Sequence, residues 1–154
     1  MKLAEFLRQD LIDPNLRAAD KTDCLRQMAA LLARAGVVRG EEDSLARLLE
    51  REKVVSTGIG NGVAIPHAKA AHVQQMVVAV ARVAGGIDFE ALDGRPVYIL
   101  FLLLGPQEAA SLHVKLLARI ARLVKAEGFL DKLREAETAD VLYRLILDED
   151  GRQP

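Results

Sequence analysis

A chain of 154 residues, 51% hydrophobic and 28% charged, has the length and apolar content for one domain with its own core, not for two. Its formal net charge of −1 lacks the basic footprint that a nucleic-acid partner requires. The longest apolar run, Val97–Leu104, falls far short of the roughly 20 residues of a spanning helix. The charged start MKLAEFLRQDLID has no signal-peptide core and Cys24 has no internal disulfide partner, so direct membrane insertion and export are not expected and a reducing cytoplasm is.

In chain order, the first helical pattern spans Lys21–Ala35, where Cys24, Met28, Leu31, Leu32 and Ala35 share a stripe. Asp20 is its N-cap and Gly36 its stop. A second helix is expected over Glu41–Arg51, with Leu45, Leu48 and Leu49 on one side. Val63–Ile65 reads as a short strand ended by Pro66. Met76–Val83 and Val97–Leu104 read as strands, the second apolar enough for burial on both faces, with the turn chemistry of Asp93-Gly94 and Pro96 between them. A long amphipathic helix follows over about Glu108–Lys125, interrupted by Gly128, with a short helix through Leu133. Thr138 caps a last helix ending near Leu147, and the end, DEDGRQP, reads as loose. Residues 1–150 thus form one α/β domain, a mixed central sheet with helices on both faces, and 151–154 a C-terminal tail.

The most unusual stretch is GIGNGVAIPHAK, Gly58–Lys69. Gly58, Gly60 and Gly62 stand at alternate positions, but a dinucleotide fingerprint needs a third glycine where Val63 sits, and no Gly-Lys-Ser/Thr ends the loop. The spacing leaves two readings: a tight strand connection, or a loop whose N–H groups approach a ligand closely. Pro66 favours an extended Ile65 and lacks an N–H, so it fixes where His67 leaves the strand. His113 shares a helical stripe with Leu116, Leu117 and Ile120, near the start of its helix, so it is either core or the rim of a site. Arg51 closes the second helix, where it complements the dipole and sits next to the glycine stretch in sequence. His67, His72 and His113 have poor spacing for a zinc site. There is no Gly-x-Ser-x-Gly elbow, and Cys24 reads as core.

The segment EREKVVSTGIGNGVAIPHAK resembles the active-site region of type-2 EIIA domains of the bacterial phosphoenolpyruvate-dependent phosphotransferase system, the mannitol, fructose and nitrogen-regulatory group. The resemblance extends over about residues 1–150. It implies that His67 accepts a phosphoryl group, through Nε2, from a phosphohistidine carrier of the HPr type, and that His113 and Arg51 complete the active site. No cofactor or metal is implied. Gly58, Gly60, Asn61 and Gly62 are expected to offer N–H groups to the phosphoryl oxygens. The motif is closest to the nitrogen-regulatory type, a phosphoryl carrier rather than a free-standing turnover enzyme, which regulates partner proteins. No fused HPr-like, EIIB or membrane segment is evident. The other reading is a fructose- or mannitol-specific EIIA that hands the group to an EIIB domain.

Overall fold

The computed structural model describes every residue from Met1 to Pro154. Its sheet is mixed, with strands β1 (Leu7–Asp13), β2 (Gly58–Gly60), β3 (Val63–Ala64), β4 (His67–Lys69), β5 (Val77–Ile87) and β6 (Val97–Gly105). The order is β1-β5-β6-β3-β2, and β4 pairs with β6 further along the edge that β3 uses. β5 and β6 are antiparallel, whereas β1 runs parallel to β5, and β3 and β4 run parallel to β6.

Alternation along β6 divides the core. Leu100, Leu102 and Leu104 face one side with Ala79 and Ala81, under helices α1 (Lys21–Arg34) and α2 (Glu41–Val54). Ile99, Phe101 and Leu103 face the other with Val78 and Val80, under α3 (Ala110–Leu123), α4 (Phe129–Glu135) and α5 (Ala139–Arg152). β6 is therefore buried on both faces, the expected reason for its unbroken apolar run. The caps read from sequence are in place: Asp20 accepts from Asp23 N at 2.8 Å, and Thr138 Oγ1 accepts from Val141 N at 3.2 Å.

Outside the glycine stretch and β4, β1 and α5 differ from the sequence reading. β1 was not expected, because a register irregularity between Leu7 and Ile12 breaks the alternation that marks a strand. α5 continues to Arg152 instead of ending near Leu147, since Asp150, charged but buried, has partners that no local pattern announces. Its Oδ1 accepts from Arg119 Nε at 2.6 Å and its Oδ2 from Ala4 N at 3.1 Å. Arg119 Nη1 also donates to the carbonyl of Pro154, at 3.1 Å, so the last residues are held.

Candidate active site

Ile65 and Pro66 carry the chain from β3 to β4 along one edge of β6. Pro66 offers no N–H, and its carbonyl accepts from Leu103 N at 2.9 Å, so β4 starts at the next residue, His67. The parallel register sets His67 against Leu103, whose side chain belongs to the face that α3 covers. There His67 meets His113, on the first turns of α3, with ring centroids 5.4 Å apart and planes inclined at 59°. Sheet register and helix placement thus join two histidines far apart in sequence.

The ring of His67 has a defined tautomer. Nδ1 lies 2.7 Å from the carbonyl oxygen of Ile65. A carbonyl only accepts, so Nδ1 carries the proton and the lone pair of the neutral ring resides on Nε2. Burial pulls the pKa of His67 below its ordinary 6.5. The Ile65 hydrogen bond opposes this, the Arg51 charge reinforces it, and Glu52 opposes it weakly. His113 is only 6% exposed, and burial, helped by the positive charges of protonated His67 and of Lys69, depresses its pKa to about 4. At neutral pH both rings are uncharged. His113 Nδ1 is buried with no hydrogen-bond partner, so the resting chain leaves one polar atom of this ring unused next to His67.

Arg51 lies in the last turn of α2, half-buried, with Nη1 donating to Val55 O at 2.8 Å. It makes no hydrogen bond to His67 but acts on it through its charge. Glu52, the next residue, was not singled out from the sequence. Its side chain is only 5% exposed and lies 2.7 Å from Lys21 Nζ. It accepts from Thr57 N at 3.1 Å and from the Thr57 hydroxyl. A glutamate in a run of charges on a helix reads as solvated, and nothing local shows that Lys21 of α1 lies over it.

The glycine stretch is a hairpin. β2 and β3 pair antiparallel, Gly60 against Val63, and Asn61 and Gly62 form the two-residue turn with φ of 59° and 82°. Positive φ at both central positions is the signature of a type I′ turn, for which Asn-Gly is the favoured pair. The turn points away from His67. The Gly62 carbonyl accepts from Tyr98 N at 2.8 Å, and Asn61 N donates to Asp93 Oδ2 at 3.1 Å. From Ile99, opposite Val63, to Leu103, opposite His67, is about 13 Å at roughly 3.3 Å per residue. The expectation that Gly60, Asn61 and Gly62 cradle a group on His67 is therefore corrected: these residues close a turn at the other end of the strand. Gly58 alone lies on the His67 side, opposite Ala64 and next to Thr57, whose carbonyl accepts from Ile65 N at 2.9 Å. His72 is exposed and lines a groove with Gly36, Val38 and Arg39, apart from the other two histidines.

Residues 5–149 match the family described as phosphoenolpyruvate-dependent sugar phosphotransferase system, EIIA 2, and the chain belongs to that family. It is 39% identical to the nitrogen regulatory protein of Pseudomonas aeruginosa over 139 residues, covering 90% of each chain. It is 34% identical to the fructose-specific EIIABC component of Bacillus subtilis over 150 residues, 97% of this chain and 24% of that much longer protein. The structure superposes on the nitrogen regulatory protein IIA-Ntr of Neisseria meningitidis with a TM-score of 0.86 at 30% identity, covering 94% of this chain and 98% of that one. No helix is long and apolar enough to cross a membrane.

Proposed function

We propose that the chain is a phosphoryl acceptor, charged on His67 Nε2 by a phosphohistidine carrier of the HPr type, and that it works in the cytoplasm as a signal protein of the nitrogen-regulatory type. The observation that carries this reading is the Nδ1–H bond to Ile65 O, which leaves Nε2 as the nucleophilic nitrogen of a neutral ring. In the transfer, the Nε2 lone pair forms a bond to phosphorus as the carrier's N–P bond breaks. The bonding pair stays with the carrier imidazole, and the His67 Nδ1 proton remains where it is.

The transition state of such a transfer is loose, so the protein contributes position and charge. The phosphoryl group brings about two negative charges. Arg51 answers them with a planar guanidinium able to span two oxygens. His113, neutral, donates one hydrogen bond through its N–H. The low pKa of both rings prevents protonation from removing the nucleophile.

Incubation with enzyme I, an HPr-type carrier and phosphoenolpyruvate tests the reading by intact mass. One acid-labile phosphoryl adduct is expected, absent from His67→Ala; unchanged labelling of that variant contradicts the assignment. The nitrogen-regulatory branch is supported by the match across 90% of both chains to the P. aeruginosa protein. A second reading, a fructose- or mannitol-type component that passes the group to an EIIB domain, is supported by the likeness to the B. subtilis EIIABC component. Rapid, stoichiometric transfer from the phosphorylated chain to a fructose- or mannitol-type EIIB would favour the second reading over the first.

A further inference from the structure

Lys21, Glu52 and Thr57 lie outside the ring pair, yet they connect to it without a break. Lys21 Nζ is 2.7 Å from Glu52 Oε1, and both side chains are almost buried, 13% and 5% exposed. The ammonium also lies 4.8 Å from the centre of the Phe89 ring and 3.8 Å from Glu90 Oε2. Glu52 takes both donors of Thr57, its N–H at 3.1 Å and its hydroxyl. The Thr57 carbonyl accepts from Ile65 N at 2.9 Å. The other end of the same residue, the Ile65 carbonyl, accepts from His67 Nδ1 at 2.7 Å.

A carboxylate that is buried and fully engaged is costly to leave half-paired. This one holds Thr57, a loop residue that is itself only 3% exposed. Its consequence is geometric. The carboxylate clamps Thr57, Thr57 fixes the Ile65 N–H, and the peptide units flanking Ile65 then have little freedom to rotate its carbonyl away from the imidazole. The partner of one ring nitrogen decides which nitrogen keeps the lone pair, and residues that orient such a partner matter for activity without touching the reacting atoms.

We propose that Lys21, Glu52 and Thr57 are positioning residues that, through the backbone of Ile65, hold His67 in its Nδ1–H tautomer with Nε2 presented for reaction. The tautomer is a property of the resting chain; its effect on phosphoryl transfer rests on the acceptor reading given above. The charged and titratable groups around the ring are Arg51 and Glu52 on α2, His113 on α3 and Lys69 on β4, so the titration of His67 reports this surrounding as well.

The test reads the ¹⁵N shifts of the His67 ring in the full chain, its titration midpoint, and the rate of phosphorylation by enzyme I and an HPr-type carrier, with melting curves alongside. In the wild type, the shifts of a single Nδ1–H tautomer are expected. Glu52→Gln keeps the shape and removes the charge. It should move the shifts toward a mixture of tautomers, lower the midpoint, and slow transfer roughly ten- to a hundredfold, the usual scale for losing a partner that orients a histidine. Thr57→Val and Lys21→Met should move the shifts in the same direction by less, and Thr57→Ser should restore the wild-type spectrum. If Glu52→Gln does not fold, Thr57→Val and Lys21→Met decide the matter. Wild-type ring shifts in the folded variants, with only the melting temperature reduced, overturn the proposal. A wild-type chain with the expected tautomer that takes no phosphoryl group refutes the acceptor reading alone. A chain that is phosphorylated while its variants keep wild-type ring shifts refutes the relay alone.

Discussion

The twelve residues from Gly58 to Lys69 contain two regions that use backbone freedom in opposite ways. At one end, Asn61 and Gly62 adopt left-handed backbone to close a hairpin against Tyr98 and Asp93. At the other, Pro66 removes freedom, and Ile65, whose N–H donates to the Thr57 carbonyl, accepts from His67 Nδ1 through its own carbonyl and fixes an imidazole. The glycines look like the functional part of the sequence because alternating glycines suggest a phosphate cradle. The hairpin accounts for them by the fold, and the proposed function puts the chemistry on the stiff residues that follow. A flexible residue is needed where the chain must turn, whereas a nucleophile needs neighbours that cannot move.

The strongest way to break this contrast is to mutate both ends. His67→Ala should abolish phosphoryl uptake, whereas Asn61→Ala should leave the rate of the folded protein within about twofold. Asn61→Ala should lower stability by about 1–2 kcal/mol, the cost of left-handed backbone without a tolerant residue. Rapid-quench labelling and denaturant melts separate the two, and a large rate loss in Asn61→Ala would return the turn to the site.

Arg51→Ala comes next. Removing a charge that stabilises the transferring group should slow phosphorylation by about a hundred- to a thousandfold, roughly 3–4 kcal/mol. Arg51→Lys should recover only part of this, because an ammonium does not reproduce the planar fork. Arg51→Ala should also raise the His67 titration midpoint, since the Arg51 charge lowers it. A wild-type rate in Arg51→Ala would reduce the arginine to its contact with Val55.

His113→Ala should slow transfer or shorten the lifetime of phospho-His67 at temperatures well below melting, and His113→Gln, which keeps a donor and much of the volume, should restore part of it. Early melting with wild-type transfer in both variants would make His113 core alone.

The smallest effect is on pH. Both histidines have pKa values below the unfolded 6.5, so protons bind more tightly to the unfolded chain. Their contribution to stability is intact above pH 6.5 and is lost as the pH falls toward about 4, the His113 value. His113→Gln should flatten the melting temperature over this range; an unchanged slope would place the pH dependence elsewhere.

Periodicity and capping made the helices legible: the Cys24, Met28 and Leu32 stripe, the Asp20 and Thr138 caps, and the apolar run of β6 are local signals of local structure. β1 and β4 were not legible, the first because a bulge interrupts its alternation and the second because three residues carry no period. Within the site, the placement of His67 after Pro66 was visible. Its meeting with His113 was not, since sheet register and helix docking bring the rings together; only the family resemblance suggested it. Glu52 was hidden for the same reason, because its burial depends on Lys21 from another helix. The glycines misled because a type I′ hairpin and a phosphate loop draw on the same residues, and only pairing distinguishes them.

If the Ile65 carbonyl, by holding the Nδ1 proton, makes Nε2 of His67 the acceptor, the phosphorus must bond to that nitrogen alone. Phosphorylating ¹⁵N-labelled protein and locating the phosphorus–nitrogen coupling by NMR reads this out. Coupling to Nε2 of His67, with the Nδ1 proton still present, is the expected result. Coupling to Nδ1 of His67, or to either nitrogen of His113, would contradict the account.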